Sequence, residues 1–123
     1  MKKIRDEERL HHILETIDRI DSFLLSVDAK TFSGSQEKQM AVCMGLTLIG
    51  EAARNLTSDF CSLHSEIPWA KIIGMRNYLV HDYIRIDYDA VWQTAKNDLP
   101  LLKTQITNIL AELPTQEKTP PTA

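Results

Sequence analysis

The chain has 123 residues, 43% of them hydrophobic and 25% charged, which suits one domain around one core rather than two. Its formal net charge is −3, so no overall basic field holds nucleic acid non-specifically, and any RNA or DNA contact must be local. The longest mainly apolar stretch, MAVCMGLTLIG, falls short of the roughly 18 to 20 residues that a bilayer span needs, which excludes a membrane-crossing helix.

The N-terminus, MKKIRDEERLHH, turns charged before an apolar run can form, so no signal peptide is expected. With only Cys43 and Cys61, spaced unlike a Cys-x-x-Cys pair, the expectation is a cytoplasmic protein with free thiols. Leu10, Ile13, Leu14, Ile17, Ile20, Leu24 and Val27 then recur at three and four, which predicts a helix from about Asp6 to Val27 with acids in its first turn. The turn residues of DAKTFSGS follow, with Ser33 or Ser35 available as a cap.

A second long helix is predicted from about Gln36 to Ser58. It carries one apolar stripe of Val42, Leu46, Ile49, Ala53 and Leu56 and another of Met40, Cys43, Met44 and Leu48. A helix apolar on two sides is buried by two neighbours, or by one neighbour and a partner subunit. DFCSLHSEIP reads as a linker ending in Pro68, and a third helix runs from about Trp69 to His81. Beyond RIDYD, a fourth segment carries Val91, Trp92, Ala95, Leu99, Leu102, Ile106, Ile109, Leu110 and Leu113. Pro100 interrupts it, predicting a kink or a fresh start capped by Asp98. The tail PTQEKTPPTA is polar and proline-rich and is expected to be disordered. Strand signals are absent, so the fold class predicted is all-α, an antiparallel bundle of four to five helices.

The stretch GMRNYLVHDY, residues 74 to 83, departs from that simple pattern. At about 100° per residue, Trp69, Ile72, Ile73, Leu79 and Val80 all fall within about 60° of Arg76. The arginine therefore sits in the middle of an apolar face, where a guanidinium needs a partner or a ligand. Glu51 extends the methionine stripe of the second helix and is equally out of place, so an Arg76 to Glu51 ion pair is expected.

Asn77 and His81 are one turn apart, and Tyr83 returns near Arg76 if the helix persists. Gly74 leaves room beside His81 for a substrate or another chain. A fixed cation, an orienting amide and an imidazole suit cleavage of a phosphodiester, and RNA supplies its own 2'-hydroxyl nucleophile. The chain shows no carboxylate cluster for a pair of magnesium ions. The same residues also fit a purely structural role, with Arg76 paired to Glu51 and His81 closing a helix C-terminus.

The segment IPWAKIIGMRNYLVHDYIRIDYDAVW, together with RDEERLHHILETIDRI and LTLIGEAARNL, resembles the HepT-like branch of the HEPN superfamily over most of residues 5 to 103. That resemblance implies a helical domain over residues 1–113 that forms a homodimer, with residues 114–123 as a tail. It also implies a metal-independent ribonuclease cleft shared by two subunits, with no cofactor for cleavage. Arg76 would stabilise phosphate, His81 would transfer protons, and Asn77 would be the polar motif residue. Such proteins are toxins of a type VII-like toxin–antitoxin pair, whose MntA-like nucleotidyltransferase antitoxin adenylylates the motif tyrosine, here Tyr83, using ATP and Mg²⁺. The competing reading is a nucleotide-binding or docking subunit without turnover.

Other residues carry less. His11, His12 and Glu15 read as a solvated helix face, and His64 is undistinguished. Cys43 and Cys61 have no cationic neighbours to activate a thiolate. Lys71 and Arg85 flank the motif, where they either help to hold RNA or serve solubility.

Overall fold

The computed structural model describes residues 5–113, and every regular element among them is helical. The first, α1, covers Asp6–Phe23. Glu8 reaches back to accept from the Arg5 N–H at 2.9 Å, which supplies one of the orphan donors of the helix start with an acceptor. The helix ends four residues before the expected Val27. Leu24 leaves the helical region, and Ser26 adopts φ 61, a left-handed conformation that turns the chain.

Two short helices occupy stretches expected to be a turn and a linker. α2, Ala29–Ser33, is capped by Asp28, whose Oδ1 accepts from the Thr31 N–H at 2.8 Å and whose carboxyl is held below its ordinary range by that bond. Phe32 is driven into the core and packs against Trp92 at 5.3 Å between ring centroids. α4, Ser58–Leu63, is capped by Thr57, whose hydroxyl accepts from the Phe60 N–H at 3.2 Å. Asp6 ties this turn to the start of α1, accepting from Thr57 N at 2.9 Å and from Thr57 Oγ1 at 2.6 Å.

Between them, α3 spans Gln36–Arg54, four residues short of the expected end, and is the central helix of the domain, packed on α1 and on α5, Trp69–His81. Its stripe of Val42, Leu46, Ile49 and Ala53 is buried, with Leu56 just past its end, as are Leu10, Ile13, Ile17 and Ile20 of α1 facing the same core. The two helices approach closely: a Cβ built on Gly45 would lie 2.6 Å from Ile20 Cγ1, so the position takes a glycine for lack of room. Of the second stripe of α3, Met40, Met44 and Leu48 are exposed by 71%, 61% and 48%, while Cys43 is partly buried against the core.

A turn of 3-10 helix over Tyr83–Arg85 leads to α6, Tyr88–Gln93, which Asp87 caps through the N–H groups of Asp89 and Ala90. The chain then stays helical. Thr94–Asp98 form a π-helical turn that passes directly into α7, Leu99–Glu112, which packs on α1. Asp98 does not cap a fresh start: its backbone is helical and its carboxylate pairs with Lys71 at 3.3 Å. The wider π turn sits just before Pro100, the kind of local adjustment that accommodates a residue without an N–H. The expected tail at 114–123 lies outside the described residues.

Candidate active site

α5 begins where Pro68 and Trp69 were expected to start it, and the Trp69 indole donates to the His64 carbonyl at 3.0 Å to fix that end. Trp69 and Leu79 are buried against the bundle, Ile72 and Ile73 are partly buried, and Arg76 lies on the same face. The arginine can face inward because α3 presents a glycine there. A Cβ on Gly50 would lie 2.2 Å from Arg76 Cβ and 3.1 Å from the Ile72 carbonyl oxygen. The aliphatic stem of Arg76 thus runs over bare backbone, and its head emerges beside Glu51.

Arg76 Nε lies 3.3 Å from Glu51 Oε1, with the arginine side chain 18% and the glutamate 47% exposed. This is an electrostatic contact rather than a hydrogen bond, because the buried Nε–H is not aimed at the carboxylate and meets no other acceptor among the described residues. At the other side of the fork, Arg76 Nη1 donates to Asn77 Oδ1 at 2.8 Å. Glu51 is shared further, with Arg54 Nη1 at 3.9 Å and with Asn55 Nδ2, which donates at 3.2 Å. The guanidinium is therefore steered by two neighbours while part of its donor set faces outward.

His81 is the last residue of α5 and is exposed, one turn beyond Asn77. Tyr83 does not come back over Arg76 as a continuing helix would bring it. Asp82 closes α5 with φ −114 and ψ 32, and Tyr83 opens the 3-10 turn with 68% exposure. The side chain stands open rather than packed at a helix end.

The turn itself is held by Tyr78, which is not among the residues expected at the site. Tyr78 Oη accepts from the Asp87 N–H at 2.7 Å and donates to the Arg85 carbonyl at 3.2 Å, tying the C-terminal end of the segment that carries Tyr83 back to α5. Only the spacing of Tyr78 from the RIDYD loop could have hinted at it. Gly74 is open, with no atom within 4 Å of a Cβ built there. Lys71 is committed to Asp98 at 3.3 Å, away from Arg76.

Among the described residues, two concavities adjoin α3. A largely apolar cavity of about 410 Å³ lies among Leu46, Ile49, Ile72, Met75, Tyr78 and Leu102, and neither Arg76 nor His81 lines it. The other, about 300 Å³, lies between α1 and α3 and shares Glu51 with the motif. Among the described residues no group of three or more His, Cys, Asp or Glu side chains is placed to hold a metal ion, and no helix is long and apolar enough to cross a membrane.

Comparison with known proteins agrees in one direction. The family described as Ribonuclease HepT-like matches residues 13–109, which contain Glu51, Arg76, Asn77, His81 and Tyr83. A protein of Thermococcus cleftensis named "Probable ribonuclease HepT" is 38% identical over 79% of this chain and 88% of its own length. A candidate RNase of Methanocaldococcus jannaschii is 34% identical over 79% of this chain and 89% of its own. Another, of Caldanaerobacter subterraneus, is 33% identical over 82% and 90%. No solved structure gives a significant match. With an all-helical fold, an arginine held at a helix crossing and a family match across most of its length, the chain belongs to the HepT-like family of the HEPN superfamily.

Proposed function

We propose that this protein is a metal-independent endoribonuclease, the toxin of a HEPN/MNT toxin–antitoxin pair, in which Arg76 and His81 of two subunits face one cleft. The observation that carries the reading is Arg76 itself. Its stem is packed on Gly50, its head is oriented by Glu51 and Asn77, and an exposed His81 lies just beyond. A cation fixed before substrate arrives stabilises charge that develops on phosphate oxygens without reorganising.

In the proposed step an RNA 2'-hydroxyl attacks the adjacent phosphorus and the 5'-oxygen of the next nucleotide leaves. One His81 accepts the 2'-hydroxyl proton and the His81 of the second subunit protonates the leaving oxygen. The products are a 2',3'-cyclic phosphate and a 5'-hydroxyl. The exposed row of Met40, Met44 and Leu48 supports a dimer, because it leads along α3 to Glu51 and so to the motif.

Tyr83 is the proposed target of the antitoxin. Its hydroxyl would attack the α-phosphorus of ATP, with Mg²⁺ in the partner's site and pyrophosphate leaving. The added phosphodiester is a bulky anion two residues from His81, and it would compete for the arginine that substrate phosphate needs.

The test is cleavage of total cellular RNA in EDTA by the unmodified protein, beside His81→Ala and Arg76→Ala with helical content checked. Loss of about 10² to 10⁴ in rate for His81→Ala and about 10² to 10³ for Arg76→Ala is expected. Equal inactivity or equal cleavage by all three would instead favour a docking subunit for the nucleotidyltransferase, a role that His81→Ala would leave intact.

A further inference from the structure

The groove between α1 and α3 is lined by Arg9, His12, Glu15 and Arg19 from α1 and by Leu48 and Glu51 from α3. On the α1 wheel Arg9, His12 and Arg19 fall within an arc of about 80°, beside the buried stripe of Leu10, Ile13, Ile17 and Ile20. They form one row about 15 Å long, enough for several phosphates at about 3.4 Å per charge along a strand.

Three observations point to an anionic ligand there. Arg9 lines the groove, and its buried Nε has no hydrogen-bond partner among the described residues, a costly arrangement. No ion pair engages Arg9 or Arg19 among the described residues. Of the two carboxylates that line the groove, Glu51 is shared by Arg76 and Arg54, which leaves Glu15 beside Arg9 and Arg19 among the described residues. With Arg54 and Arg76 beside Glu51 counted, four arginines meet two carboxylates here, on a chain whose net charge is −3.

Resting on the ribonuclease reading above, we propose that Arg9, His12 and Arg19 form a phosphate track that holds the RNA strand beside the scissile bond. Glu51 is the joint between track and motif, since it lines the groove and touches Arg76. These are binding residues: they set where the strand lies, while Arg76 and His81 act on the phosphodiester. The solvated helix face expected for His11, His12 and Glu15 is thereby divided, with His11 beside Glu7 at 3.8 Å and His12 and Glu15 in the groove.

The experiment measures binding of a labelled single-stranded RNA by fluorescence anisotropy to the full chain carrying His81→Ala, which prevents cleavage, across a salt titration. Added Arg9→Ala, Arg19→Ala, or both, are compared with Lys30→Ala on α2 as a charge-loss control. The double variant is expected to bind at least about tenfold more weakly, and each arginine lost should lower the salt slope by roughly 0.7. In the cleaving parent the same changes should raise KM with kcat held. Arg19 is exposed, so Arg19→Ala and His12→Ala carry the test should Arg9→Ala fail to fold.

Affinity and salt slope unchanged by these variants, beside cleavage that still requires Arg76 and His81, would overturn the track and leave the ribonuclease reading standing. RNA binding lost with Arg9 and Arg19 in a parent that does not cleave would support the track and overturn turnover. Binding of polyglutamate through these arginines, with none of RNA, would assign the groove to an acidic protein and overturn the proposal.

Discussion

Gly50 and Arg76 meet where α3 crosses α5, and a Cβ at position 50 would lie 2.2 Å from the arginine Cβ. Backbone on one helix and side-chain stem on the other leave no room for a methyl group. Gly50→Ala must push α5 outward, because the nearest atoms are the root of a side chain and a main-chain oxygen rather than a flexible tip. Destabilisation of about 1–3 kcal/mol is expected by urea titration, and RNA cleavage should fall further than stability accounts for. Unchanged stability would mean that α5 yields at this crossing without cost.

Tyr78→Phe removes one acceptor and one donor from the turn that carries Tyr83, without altering the packing of the ring. Water reaches this turn, so the cost should be modest, about 0.5–1.5 kcal/mol. The sharper readout is local. Amide exchange at Asp87 should accelerate while the amides of Ile13 and Val42 in the core keep their protection relative to global stability.

Met44 is 61% exposed, so Met44→Glu should alter the stability of the single chain by less than about 0.5 kcal/mol. In a dimer joined through this row, the same change places charge on an apolar contact in both subunits. Light scattering at micromolar concentration should show a dimer for the parent and a monomer for the variant, with cleavage lost together with the dimer. A variant of dimer mass would place the contact elsewhere.

Burial pushes the Cys43 thiol up to about 11 from an ordinary 9.0. The thiolate fraction at neutral pH should then be roughly 100-fold below that of an unperturbed cysteine, and alkylation correspondingly slow. Cys61 is raised as well, by burial and by the charge of Asp6. For Cys43 the linkage is that of a group favouring its neutral form in the fold. Its contribution to stability is present below about pH 9 and lost as pH rises through about 11, so Cys43→Ala should flatten the alkaline decline.

Local pattern carried much of this protein. Helical periodicity and Pro68 placed α5 at Trp69–His81, and the two stripes of α3 were legible because a 3.6-residue period records which faces seek burial. The anomaly of Arg76 on an apolar face needed only the wheel, and the family resemblance needed only residue order. The early end of α1 at Phe23 and the short helices α2 and α4 were not legible. Helices of five and six residues depend on a cap and on a burial site for Phe32 or Phe60, which only the assembled neighbours supply.

Contacts between distant residues needed the tertiary structure for a further reason. Whether Gly50 faces Arg76, whether Asp98 caps a helix or pairs with Lys71, and whether Tyr78 closes on Asp87 all depend on where helices cross. The sequence by itself determined the faces of each helix and the residue types of the motif. Their meeting was decided by packing, because a crossing angle is set by how side chains of two helices interlock and no single helix encodes it.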